Sequence, residues 1–164
     1  MNPVFSSWET FFSAEVGASA ALTGLVMVGM SVNLSRILAH ELLPGRAAET
    51  VIALGAALVL SSLLLLPGQQ AVALAIECGS IGVLSLAAPF AFQLHAYRSP
   101  LPNSEARPFV RAFLSSFVGV PLLVAGGLLC WGDLDGLYWA AAGIILSLVV
   151  GIIGAWVLLV EINR

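Results

Sequence analysis

Five stretches of the chain are continuously apolar, about 11–34, 47–66, 71–94, 109–131 and 137–160, and short breaks with proline, glycine or charge separate them. Crossing ~30 Å of hydrocarbon takes about 20 helical residues, so each run is long enough to span a bilayer. A strand of a transmembrane barrel alternates polar and apolar positions over roughly 10 residues. These runs do not alternate, and they therefore predict helices, whose backbone groups are satisfied within the segment. The fold class expected is all-α: a polytopic transmembrane bundle of about five spans, forming one domain over residues 1–164.

The breaks are Leu43-Pro44-Gly45-Arg46, Pro67-Gly68-Gln69-Gln70, the proline-rich stretch from Arg98 to Pro108, and Gly132-Asp133-Leu134-Asp135-Gly136. Pro67 and Gly68 predict a tight hairpin, because one helix from Ala47 to Leu94 would far exceed a bilayer. No basic segment precedes the first run, so that run is expected to stay in the mature protein.

The chain has no lysine, and its arginines stand at 36, 46, 98, 107, 111 and 164. With five spans all six fall on one side, which the positive-inside rule makes cytoplasmic; four or six spans would spoil the separation. The N-terminus is then outside and the C-terminus inside, with Trp8, Trp131, Tyr138 and Trp139 gathered at the outer interface as an aromatic belt. Composition agrees with a lipid-facing fold: 60% of the residues are hydrophobic, 9% are charged, and mean hydropathy is +1.03. Soluble domains carry nearer a quarter charged residues.

Small residues recur at helical spacing and predict close helix packing in lipid, within one chain or between copies. The first run carries Ser13, Gly17, Ala20, Gly24, Met27 and Ser31, and the fifth carries Ala140, Gly143, Ser147, Val150 and Gly154. Ala48, Gly55, Ser62 and Gln69 mark the second run, and Ser115, Gly119, Leu122 and Gly126 the fourth.

Ionisable groups at membrane depth are expensive and suggest function. Glu15 and Glu77 fall near the outer ends of the first and third runs, at comparable depth, so they are candidates for one shared site. Eighteen residues make five turns, which puts Glu15 in phase with Asn33, joined by Ser19, and Glu77 in phase with His95, with Ser80 on the same side. Each stripe is acidic outside, apolar in the middle and polar inside, the pattern of a cation vestibule leading to a hydrophobic constriction. The outer face totals −5 and the inner face +2 of the net −3, which favours cations over anions. Glu49 reads as a carboxylate at the positive end of the second helix.

His40 and His95 both map to the cytoplasmic edge, so no haem or metal is expected. Asp133 and Asp135 fit a turn better than a calcium loop. Cys78 and Cys130 form no redox pair, and no nucleophile, phosphate-loop or zinc-protease motif occurs. No enzyme, cofactor or nucleic-acid role is expected. The segments Trp8-Glu9-Thr10-Phe11-Phe12, Ala14-Glu15-Val16-Gly17-Ala18 and Leu43-Pro44-Gly45-Arg46-Ala47-Ala48-Glu49-Thr50 resemble small bacterial multi-helix inner-membrane proteins. That resemblance implies a multi-pass bacterial inner-membrane location and a compact helical fold, and it brings no activity or site residues. The expected function is a homo-oligomeric channel or transport-type protein for a cation, in contact with the lipid bilayer. The alternative is a non-catalytic subunit or regulator that packs on other membrane proteins.

Overall fold

A computed structural model describes residues 3–40, 43–98 and 108–162, with side chains described for 8–40, 43–92, 94 and 117–160. Every regular element among the described residues is a helix: α1 (Pro3–Val32), α2 (Leu34–Ala39), α3 (Leu43–Leu63), α4 (Ala71–Arg98), α5 (Pro108–Cys130) and α6 (Gly136–Ile162). Four segments are long and apolar enough to cross a membrane: Trp8–Val32, Leu43–Leu63, Ala71–Phe92 and Gly136–Val160. Within α5 the described apolar segment is the shorter Phe117–Cys130.

The helix ends differ from those expected in ways that local chemistry explains. The helix expected from residue 47 begins at Leu43, with Pro44 and Gly45 inside its first turn. Proline is tolerated there because the first amides of a helix have no intrahelical acceptor to lose. Glu49 consequently sits in the second turn of α3, so the expectation that it caps a helix N-terminus is corrected. The first run does not end in a loop. It breaks at Asn33 and continues as α2, the Arg36 and Ile37 amides both donating to the Asn33 carbonyl at 3.0 Å. The Pro67–Gly68 hairpin is present, with Gly68 at φ 74°, and Gly132 adopts φ 81° after α5. Both positions need the left-handed backbone that glycine adopts without penalty.

Helices α3, α4, α5 and α6 close a ring in which each packs on the next, the α4–α5 seam being the most extensive. Leu60, Leu74, Cys78, Leu122, Leu129 and Ile144 fill its core and are almost wholly buried. Glycines let the backbones approach: a Cβ on Gly126 would lie 2.9 Å from the Ala75 carbonyl oxygen and 3.1 Å from Gly79 Cα. One on Gly82 would lie 3.0 Å from the Leu123 nitrogen. Pro89 and Pro121 lie inside α4 and α5, where neighbouring helices bury them.

Helix α1 stands outside the ring. It packs on α3, touches α6 lightly, and is the least buried of the apolar helices. Phe12 anchors its N-terminal end in the core, beside Trp8, which meets Tyr138 edge-on at 4.8 Å. Its C-terminal end is anchored by Ile37 of α2, which packs with Leu43 and Leu158.

Candidate functional site

Helix α1 has two faces of opposite character. The packed face carries Phe12, Glu15, Ser19, Val26, Met30, Asn33 and Ile37, all buried or half-buried. The free face carries Ser13, Gly17, Ala20, Gly24, Met27 and Ser31, and every one of them is exposed. A Cβ added to Gly17 or Gly24 would meet nothing within 4 Å. Thus Gly17, Ala20 and Gly24, expected as packing residues, lie on an exposed face among the described residues, and the two glycines have no described neighbour to pack on. In α6 the opposite holds: Gly143 lies against Leu122, Gly154 against Thr50, and Ser147 is fully buried with its hydroxyl donating to the Gly143 carbonyl at 2.8 Å.

Glu15 and Ser19 are one turn apart on the packed face. A helical side chain leans toward the N-terminus, so Ser19 lies over the turn that carries Glu15. Ser19 is 0% exposed, and neither its Oγ nor Glu15 Oε2, which is also buried, makes a hydrogen bond. Two oxygens with unused hydrogen-bonding capacity, at membrane depth, are unusual where buried polar atoms are nearly always paired. Ser61 of α3 and Ser147 of α6 are equally buried, but their hydroxyls are satisfied by the carbonyls of Ala57 and Gly143.

Glu77 sits on α4 with different company. Its Oε1 accepts a 2.6 Å hydrogen bond from Gln69 Nε2, in the turn between α3 and α4, while Oε2 is buried without a partner. Ser80 is exposed, its hydroxyl donating to the Glu77 carbonyl at 3.0 Å. Among the described residues no hydrogen bond joins Glu15 to Glu77. α1 packs chiefly on α3, and one oxygen of the Glu77 carboxylate is engaged by its own hairpin. Asn33 does lie on the Glu15 face, where its Nδ2 donates to the Gly29 carbonyl at 3.0 Å and marks the α1–α2 break. The His95 side chain lies outside the described residues.

Sequence reasoning passed over three features. Gly79 and Gly82 of α4 meet the glycines of α5, a match legible in the Ala71, Ala75, Gly79, Gly82 spacing. Ser85 is buried with an unpartnered hydroxyl in the turn preceding Pro89, and a lone serine in an apolar run gives no sequence signal of that. Gln69, assigned to a small-residue stripe, is instead the partner of Glu77. Cys78 is a buried free thiol and Cys130 an exposed one. Asp133 Oδ1 accepts the Asp135 amide at 3.0 Å, closing the turn before α6. The chain matches no family model, no curated protein and no solved structure.

Proposed function

We propose that this chain is a five-span bacterial inner-membrane protein, N-terminus outside and C-terminus inside, that assembles as a homo-oligomer through the free face of α1 and handles a cation. The observation that carries the assembly is the exposed row Ser13, Gly17, Ala20, Gly24, Met27 and Ser31, whose glycines no neighbour in the chain uses. In lipid, small residues on a helix face permit the close backbone approach that drives association. The fifth span is supported by the 23 residues of α5, about 34 Å of helix at 1.5 Å per residue.

The cation part of the reading rests on Glu15 Oε2 and Ser19 Oγ, two buried oxygens free to accept a ligand or a proton. Glu15 is about 200° round the helix from Gly17. The carboxylate therefore belongs inside each protomer, between α1 and the ring, and not on the symmetry axis. Glu77 has the smaller role, since Gln69 already holds it. A second reading, a non-conducting subunit that packs on other membrane proteins, is favoured by the apolar core of the ring.

Potassium, sodium, calcium and proton flux into liposomes separates the two readings. Cation flux that falls in Glu15→Gln more than in Glu77→Gln supports transport within the protomer. Flux absent from folded wild-type protein leaves the packing subunit. Assembly is read independently: Gly24→Leu, which has room for its side chain, dissociates the oligomer if α1 forms the interface.

A further inference from the structure

We infer that the crevice between the inner halves of α1 and α6 holds a segment of one acyl chain of an anionic phospholipid, whose headgroup phosphate is met by Arg36. The crevice has a volume of about 180 Å³ and is bounded by Leu25, Gly29 and Met30 on one wall and Ala155, Leu158 and Leu159 on the other. Its side chains are all apolar. Buried water needs two to four polar partners, and side chains that cannot bond it leave an apolar occupant.

The cause of the gap is on the page. Gly29 has nothing within 4 Å of where a Cβ would stand, and Ala155 opposite it is short. α1 leans on α3 and only brushes α6, so the two walls are not pulled together. Both walls belong to the spans Trp8–Val32 and Gly136–Val160, so the opening faces lipid chains and not water.

The inner end of the crevice is closed. Met30 and Leu158 pack with Ile37 of α2 and Leu43 of α3, so a chain entering from the bilayer cannot run on past α2. Arg36 is the residue before Ile37 and is exposed. α2 follows α1 across the single non-helical residue Asn33, and Ile37, the neighbour of Arg36, packs with the crevice residues Met30 and Leu158. Seven residues separate Gly29 from Arg36, about 10 Å of rise, which sets the cation at headgroup level above a chain lying at Gly29. Arg36 makes no ion pair with an acidic group among the described residues. Juxtamembrane arginine attracts anionic lipid, and here a shaped slot for the chain lies below it.

The test uses chain-spin-labelled phosphatidylglycerol and phosphatidylcholine in liposomes containing the full-length protein, reading the motionally restricted fraction by electron paramagnetic resonance. Wild type is expected to restrict phosphatidylglycerol several-fold more than phosphatidylcholine. Arg36→Gln should bring the two lipids level, and Gly29→Leu, which fills the slot, should remove one restricted lipid per protomer whatever its headgroup. Gly127→Leu, at another glycine with open space, should leave both signals as in wild type. Equal restriction of the two lipids by wild type would overturn the inference. So would wild-type lipid stoichiometry in Gly29→Leu, or an equal loss in Gly127→Leu. A change of oligomeric state in Gly29→Leu with lipid signals unchanged would assign the crevice to a second copy of the chain and likewise overturn it.

Discussion

Gly126 and Gly127 are adjacent in α5, yet the same substitution is expected to act on them with opposite sign. A Cβ at Gly126 would stand 2.9 Å from the Ala75 oxygen, 3.0 Å from the Gly79 nitrogen and 3.1 Å from Gly79 Cα. All three are backbone atoms of α4, so no rotamer change can relieve the clash and the helices themselves must part by about half an ångström. A gap of that size forfeits about a quarter of each contact's attraction along the seam, and overpacking typically costs about 1–3 kcal/mol. Replacing glycine by alanine in a helix returns about 0.8–1.0 kcal/mol of propensity, which leaves Gly126→Ala destabilised by up to about 2 kcal/mol. At Gly127 the added methyl meets nothing within 4 Å, so only the propensity gain applies and the variant should be stabilised by up to about 1 kcal/mol. Reversible unfolding in mixed micelles, titrated with a denaturing detergent, reads the difference: about 1–3 kcal/mol between neighbours, or roughly 5–160-fold in the unfolding constant. Equal effects, or a Gly126→Ala protein more stable than Gly127→Ala, would refute the glycine seam between α4 and α5.

Gly24→Leu should leave unfolding of the single chain within about 1 kcal/mol of wild type while shifting photobleaching-step counts in liposomes toward monomer; an unchanged count removes α1 from the interface. Gln69→Ala strips Glu77 Oε1 of its donor and should cost about 1–3 kcal/mol in the same unfolding titration, with no loss indicating that the carboxylate finds water instead. In spheroplasts a membrane-impermeant maleimide should label exposed Cys130 and spare buried Cys78; labelling of Cys130 only after permeabilisation would invert the topology. Glu15→Gln keeps the shape of the side chain and removes its charge, so it should lower cation flux with the oligomer intact, and a coincident loss of oligomer would assign Glu15 to packing.

The helical class and the approximate runs were legible because length and continuous apolarity are properties of one segment at a time. The Pro67–Gly68 hairpin was legible for the same reason, since no bilayer accommodates the alternative. The start of α3 was not, because Pro44-Gly45 reads as a break in isolation, whereas the first turn of a helix accepts both. The lateral relation between Glu15 and Glu77 was not legible in the same way. Depth along a helix follows from counting residues, and both carboxylates sit about one turn beyond the core residues Phe12 and Leu74. Lateral position depends on which helix neighbours which, and here α1 packs chiefly on α3. Phase likewise identified Glu15, Ser19 and Asn33 as one face without saying that this face is the packed one.

The placement of that face is the strongest argument for a surface that this chain does not itself complete. Where α6 meets the surrounding medium it presents Ile145, Val149, Ile152 and Trp156, bulky side chains that lipid chains can pack against. The N-terminal part of α1 presents Ser13, Gly17, Ala20 and Gly24 instead. Each glycine in a helix interior costs about 0.5–1 kcal/mol relative to alanine, and the crowded glycines of α4, α5 and α6 offset that cost through backbone approach. Gly17 and Gly24 have no such compensation among the described residues. The proposed self-association would supply it, because one α1 laid against another would bring two small-residue rows together at a distance that leucines or valines would forbid. The same proposal would account for the polar residues on the opposite side: with its free face given to assembly, α1 would carry Glu15 and Ser19 only toward the rest of the protomer, where a carboxylate oxygen and a hydroxyl stand with hydrogen-bonding capacity unused.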